Sequence, residues 1–299
     1  MSAIGLGCNN FGRRLDADRS TKVVSACLDA GITFFDTADI YGDGASEEIL
    51  GRALASRRDE AVVATKFGGL SGGRSGASRR TVVAACEASL QRLGTDHIDL
   101  YYQHFPDPKT PVTETLAALD DLVRAGKVRY VGSSNYAGWE VARADHVSRE
   151  RGVARFVACQ VEWSLLRRRV EQEVVPACAD YGVGVVPYFP LASGLLTGKY
   201  QRGAPFPDGS RLASSPNFQA VATPEAFDVV ERVTAIAQSM GRSLLDVAMA
   251  WLLHQPTVPS VIAGATTSEQ VRANAATAEV ALSAEEVAAI TAATEGSGG

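Results

Sequence analysis

No apolar stretch in this chain approaches the roughly 18 residues that a membrane span requires, and none of its cysteines stands in CxxC spacing. It has little excess charge: 29 Lys and Arg against 34 Asp and Glu leave −5, with a pI near 5.5. That balance lacks the concentrated positive face a nucleic-acid surface needs. Arg167-Arg168-Arg169 is the one basic triplet, and a solvated face accounts for it. Five cysteines, Cys8, Cys27, Cys86, Cys159 and Cys178, are scattered and odd in number, which reads as reduced core thiols of a cytoplasmic protein. His97, His104, His146 and His254 form no HExxH or paired-ligand pattern, so no metal is expected. The opening Met-Ser-Ala-Ile-Gly-Leu-Gly has neither the basic nor the apolar region of a signal peptide. What is present is ordinary globular composition: 46% hydrophobic and 21% charged residues over 299 positions. Nothing in the helix faces announces an oligomeric state.

Strand-like and helix-like segments alternate along the whole length. Strands are expected at Ala3–Cys8, Ile32–Phe35, Ala61–Thr65, Ile98–Gln103, Val128–Ser133, Phe156–Gln160, Val183–Pro187 and Val258–Ile262. Helices are expected at Arg19–Ala30, Ser46–Ser56, Arg79–Leu93, Val112–Ala125, Gly138–Glu150, Glu171–Tyr181, Pro224–Ser239, Leu244–His254, Ser268–Ala276 and Ala284–Ala292. The strands lack clean polar alternation, as when both faces are buried. With no break in composition, the pattern favours one (β/α)₈ barrel domain over 1–299, its last residues 296–299 a frayed tail. A doubly wound sheet is the alternative. The segment Gly68 to Ser78 (GGLSGGRSGAS) is equally compatible with a mobile lid and a plain solvated loop.

Four residues able to move or hold a proton, Asp36, Tyr41, Lys66 and His104, follow three of these strands. If the strands are parallel neighbours, all four converge on the carboxyl rim, where α/β enzymes build active sites. A buried lysine beside a phenol favours the phenolate and lowers its pKa, and an aspartate holds that lysine charged. A neighbouring imidazole can orient a substrate oxygen. Carbonyl reduction needs this combination, with hydride supplied by a cofactor because no side chain carries it. Taken singly, Tyr41 could be a turn residue and Lys66 a snorkelling strand end.

The segments GITFFDTADIYGDGASEEILGRAL, VVATKFG, DLYYQHFPDP, GKVRYVGSSNY, CQVEWSLL, VVPYFPLASGLLTGKY and VIAGATTSEQVRAN, in this order, resemble the aldo-keto reductase superfamily from about Ile4 to the last helix. The resemblance implies a (β/α)₈ barrel and NADPH-dependent reduction of a small aldehyde or ketone. It implies Tyr41 as general acid, Lys66 and Asp36 as its tuning pair, and His104 as the orienting imidazole. It further implies that Ser133, Ser134, Asn135 and Gln160 meet the nicotinamide, with Asn135 and Gln160 on its carboxamide and Tyr188 and the adjacent Phe189 against the ring. Leu191, Gly194, Leu195, Thr197 and Lys199 match the pyrophosphate loop. Gly264, Ala265, Thr266, Thr267, Ser268, Gln270 and Asn274 match the adenosine 2′-phosphate and adenine site. Phe67 and Phe105, next to catalytic candidates, are expected as pocket walls, and Trp163 as a core residue close to the rim.

Two departures stand out. Thr266 replaces the Arg or Lys that many relatives carry, leaving hydroxyls, a helix N-terminus capped by Ser268, and Arg272 as the remaining source of charge. The sequence also begins almost at its first expected strand, where family members commonly have a longer amino-terminal hairpin. Other nucleotide motifs fail: Gly194–Lys199 is one residue short of a P-loop and is followed by Tyr200, and Asn10 replaces the third glycine after Gly5-Leu6-Gly7. The rival readings are a nucleotide-sensing, non-catalytic subunit that binds a partner protein, and a barrel isomerase or lyase without nicotinamide.

Overall fold

The structure, a computed structural model, describes residues 1–70 and 75–295. The middle of the Gly68–Ser78 segment, 71–74, and the expected tail, 296–299, lie outside the described residues. The strands are β1 (Ile4–Gly7), β2 (Phe34–Asp36), β3 (Val62–Phe67), β4 (Ile98–Gln103), β5 (Val128–Ser134), β6 (Phe156–Glu162), β7 (Gly184–Tyr188) and β8 (Val261–Ala263). All pair in parallel in one sheet, in the order β8-β1-β2-β3-β4-β5-β6-β7. Val185 N–H on β7 donates to the Thr257 carbonyl ahead of β8 at 2.7 Å, which brings the sheet round on itself. The helices are α1 (Ala17–Asp29), α2 (Ala45–Leu54), α3 (Arg79–Leu93), α4 (Val112–Arg124), α5 (Gly138–Arg151), α6 (Val174–Tyr181), α7 (Pro216–Gln219), α8 (Pro224–Ser239), α9 (Leu244–Leu253), α10 (Ser268–Ala276) and α11 (Ala284–Ala293). This is the (β/α)₈ barrel expected.

Local chemistry sets the helix ends. Asp16 and Ser78 accept from the third amides of α1 and α3, and a Ser243–Asp246 capping box starts α9. Gly94 and Gly182 close α3 and α6 in the left-handed conformation. Several boundaries move from the expected ones. β2 begins at Phe34, because the Ile32 amide still bonds back to the Cys27 carbonyl of α1 and the Thr33 amide is taken by Ser2 Oγ. β3 runs on through Lys66 to Phe67, so Lys66 is a strand residue and not one beyond its end. β8 starts only at Val261, after Pro259, which has no N–H for a ladder. The expected Glu171–Tyr181 helix splits into a short 3₁₀ turn and α6.

Two cores result from the strand period of two. Phe34, Ala64, Leu100, Tyr102, Ala158, Val186 and Ile262 fill the barrel interior. Their neighbours Phe35, Val63, Tyr101, Cys159, Val185 and Val261 pack outward against the helices. Tyr102 lies across the interior directly over Gly132, where a Cβ would stand 2.6 Å from its ring. The inward rows then continue up the strands to Asp36, Lys66, Gln160 and Tyr188, so the interior packing decides which polar residues reach the rim. All five cysteines are buried free thiols, as expected.

Candidate active site

At the carboxyl rim the barrel opens into a cavity of 710 Å³. Of the expected proton-handling residues, Asp36, Tyr41 and His104 line it, and Lys66 lies immediately beneath, wholly buried. Lys66 Nζ donates to Asp36 Oδ1 at 2.5 Å and to the Thr37 carbonyl at 2.8 Å, and stands 5.1 Å from the centre of the Tyr41 ring. The second Asp36 oxygen accepts from Gln160 Nε2 at 2.8 Å. His104 stacks on Phe105 (centroids 4.6 Å apart, 15° between planes) and meets Tyr41 edge-on at 6.0 Å.

The electrostatics correct one expectation. Burial pushes the Tyr41 phenol above its ordinary value, against the opposing pull of Lys66, so the lysine does not lower it on balance. Burial also raises Asp36, with Lys66 opposing. For Lys66 burial pulls downward, but Asp36 and Tyr41 outweigh it and the ammonium is raised. His104 is pushed down from 6.5 to about 3, by burial first and the Lys66 charge second. The site therefore holds a charged lysine, a protonated phenol and a neutral imidazole through the neutral range. His104 Nδ1 is buried without a hydrogen-bond partner among the described residues.

Asn135, at φ 60°, donates to the His104 carbonyl at 3.0 Å and to Ser134 Oγ at 3.1 Å, and accepts from the Tyr188 hydroxyl at 2.8 Å. Phe189, Leu191, Gly194, Thr197 and Lys199 line the cavity from the segment after β7, and Gly264, Thr266, Gln270 and Asn274 from the segment after β8. Ala192, Ser193 and Gly194 are left-handed in succession (φ 45°, 57° and 96°), a tight turn in which the Ala192 and Gly194 amides donate to the Phe189 and Leu191 carbonyls at 2.9 and 2.8 Å. A Cβ at Gly194 would meet Lys199 Nζ at 2.9 Å. A glycine that lets an ammonium this close, with Arg14 and Arg211 on the same lining, fits a phosphate-bearing cofactor.

Several expected residues are placed elsewhere. Phe67 faces outward and packs on Tyr101 at 4.9 Å, because its neighbour Lys66 takes the inward position. Ser133 likewise faces away, and Ser134 lines the cavity in its stead. Leu195 is fully buried in the outer core. Ser268 is the first residue of α10, whose cap is Thr267. Arg272 is exposed, pairs with Glu269 at 3.1 Å and does not line the cavity. Trp163 packs edge-on to Trp251 in the core, 6.0 Å apart.

The residues missed are Asn9, Asn10 and Arg14 in the loop after β1, and Arg211 in the long segment after β7. Arg14 Nη2 donates to the Gly209 carbonyl at 2.5 Å, joining those loops across the mouth. The Arg211 guanidinium lies over the Phe218 and Phe189 rings at 4.5 and 5.1 Å. Burial and the Arg14 charge both lower its pKa. Arginines in irregular segments carry no periodic signal; only their placement beside a strand end could have flagged them.

Among the described residues no cluster of His, Cys, Asp or Glu could hold a metal ion, and no helix is long and apolar enough to cross a membrane. The aldo/keto reductase family model matches residues 3–295. A probable voltage-gated potassium channel subunit beta of Oryza sativa subsp. japonica is 37% identical over 274 residues, 88% of this chain and 83% of its own. A probable aldo-keto reductase of Glycine max is 35% identical, covering 96% of this chain and 84% of its own. An uncharacterized oxidoreductase of Bacillus subtilis is 37% identical, covering 95% and 90%. With the barrel and the rim in place, this match over nearly the whole length makes the chain an oxidoreductase of the aldo/keto reductase family.

Proposed function

We propose that the protein reduces aldehydes or ketones to alcohols, with NADPH as hydride donor and Tyr41 as proton donor. The observation that carries the reading is the stack of Asp36, Lys66 and Tyr41 under a cavity shared with His104. When bound, a reduced nicotinamide supplies the hydride that no side chain can. The chain's residues do the rest. Tyr41, kept protonated by burial, gives its proton to the oxygen that becomes the alcohol, and the Lys66 ammonium stabilises the phenolate left behind. Asp36 keeps Lys66 charged and fixed in place. His104 Nδ1 meets no acceptor among the described residues, so the neutral ring would carry its proton on Nε2 and donate to the same oxygen.

Asn135, Gln160 and Tyr188 would hold the nicotinamide, with the amide pairs described above exchanged in part for the carboxamide. Leu191, Gly194, Thr197 and Lys199 would hold the pyrophosphate, and Gly264, Thr266, Gln270 and Asn274 the adenosine end. The cations Arg14, Lys199 and Arg211 on the lining support NADPH as the donor, whereas Thr266 adds only a hydroxyl, itself donated to Gln270 Oε1 at 3.1 Å. The test is a panel of aldehydes and ketones, with nicotinamide absorbance followed separately for NADPH and NADH. Turnover of a carbonyl substrate with NADPH supports the reading. No turnover across the panel, or a preference for NADH, would count against it.

A second reading follows from the relatives named as potassium channel β subunits: a nucleotide-sensing subunit that binds a partner protein. Retention of all four proton-handling residues favours chemistry, and the same panel separates the two.

A further inference from the structure

We propose that Glu47, Thr65 and Arg92, which lie outside the cavity, are positioning residues that hold the Tyr41 turn in register with Lys66. The proposal rests on the roles given to Tyr41 and Lys66 above. Glu47 stands in the first turn of α2, its side chain fully buried, although its place beside a helix start reads as a surface charge on the helix dipole. One of its oxygens accepts from Arg92 Nε of α3 at 2.6 Å. The other accepts from Thr65 Oγ1 at 2.5 Å. Thr65 immediately precedes Lys66 on β3, so this bond fixes the strand that carries the ammonium.

Arg92 reaches the other partner. Its stem lies on Gly44, where a Cβ would come within 2.8 Å of Arg92 Cδ. Gly44 ends the turn that follows Tyr41, in which Gly42, Asp43 and Gly44 are all left-handed, at φ 59°, 60° and 96°. A left-handed aspartate is strained and persists where the surroundings over-determine it. Arg92 presses on this turn, Glu47 holds Arg92, and Thr65 ties Glu47 to the Lys66 strand.

A second link runs in parallel from the same turn of α2. Ser46 Oγ donates to the Cys8 carbonyl at 2.9 Å and shares a 2.8 Å hydrogen bond with Thr37 Oγ1. The Thr37 carbonyl in turn accepts from Lys66 Nζ at 2.8 Å. Ser46 is thus a tie between loops and not the helix cap, a position Gly44 occupies. A buried carboxylate–guanidinium pair is a poor source of net stability, since apolar side chains of the same volume often serve as well. What apolar packing would not supply is the directional bond from Thr65 to Glu47, which ties the Lys66 strand to the arginine packed on the Tyr41 turn.

Thr65→Val tests this with little change of shape, Thr65→Ser restores the hydroxyl, and Tyr41→Phe is the control. We expect Thr65→Val to lower kcat about tenfold while KM for NADPH stays within about twofold, because distant misplacement acts on the reacting geometry. Thr65→Ser should recover most of kcat. Wild-type kcat in Thr65→Val, or equal kcat in the Val and Ser variants, would overturn the proposal. Should Thr65→Val fold poorly, Glu47→Leu/Arg92→Met removes both charges together: a normal Tm with kcat still low supports positioning, and recovered kcat overturns it. Wild-type turnover and its loss in Tyr41→Phe are read in the same assay. Their absence sinks the reading of Tyr41 and this proposal together; their presence with an unaffected Thr65→Val sinks this proposal alone.

Discussion

Two buried aspartates, one at each end of the barrel, show what separates an ion pair that holds a fold from one that can do chemistry. At the amino-terminal end of β4, Asp99 accepts from Arg58 Nη2 at 2.7 Å and from the Val63 backbone at 3.0 Å, with Arg129 at 3.4 Å. At the carboxyl rim, Asp36 accepts from Lys66 at 2.5 Å and Gln160 at 2.8 Å. Both carboxylates are buried and paired, Asp99 through Oδ2, with Arg129 and, at 3.6 Å, the His97 ring near Oδ1, so neither burial nor pairing distinguishes them. The partners do. Guanidinium never releases its proton in a protein, and a backbone amide has none to spare, whereas an ammonium beneath a phenol can steady a phenolate. Only the rim pair opens on a cavity. This matches the general division of a (β/α)₈ barrel into a stabilising floor and a reactive rim.

The comparison can be broken at either end. Lys66→Met should have the largest effect on rate, lowering kcat by about 10² to 10⁴, the range for loss of positioned acid–base catalysis. A variant within tenfold of wild type would mean the ammonium does not tune Tyr41. Asp99→Asn should do the reverse: kcat within about twofold of wild type, but stability lower by about 3 kcal/mol, because Arg58 keeps its charge in a half-buried place without its partner. Denaturant midpoints decide it, and a large loss of kcat with unchanged stability would erase the distinction between floor and rim.

A smaller effect sharpens the account of the rim's imidazole. His104 is pushed from 6.5 to about 3 in the folded state. As pH falls through that window the unfolded chain takes up a proton that the folded chain refuses, so stability contributed by the neutral ring is present above 6.5 and drains away toward 3. Wild type should therefore lose Tm on acidification more steeply than His104→Gln. Parallel curves would show that the ring titrates normally.

Much of this was legible in the residues. The alternation of apolar runs and amphipathic segments foretold the barrel, and the polar residues at or just past the ends of β2, β3 and β4 marked the rim. The misses have physical causes. Phe67 sits beside Lys66, which points inward, and a strand cannot send consecutive side chains to one face. The same rule keeps Ser134 on the cavity and turns Ser133 away. A charged neighbour alone predicts a lowered Tyr41, whereas burial, a property of the assembled fold, outweighs that neighbour. Arg14 and Arg211 reach the cavity from irregular segments with no periodicity to betray their direction. Glu47 resembles any acidic residue at a helix start until α3 is packed against it.

The central claim, that Tyr41 gives the proton and does not hold the cofactor, is tested most directly by Tyr41→Phe. Single-turnover reduction of an aldehyde should slow by at least about a hundredfold, while NADPH affinity, read by fluorescence, stays near that of wild type. Undiminished reduction by the variant would contradict the account.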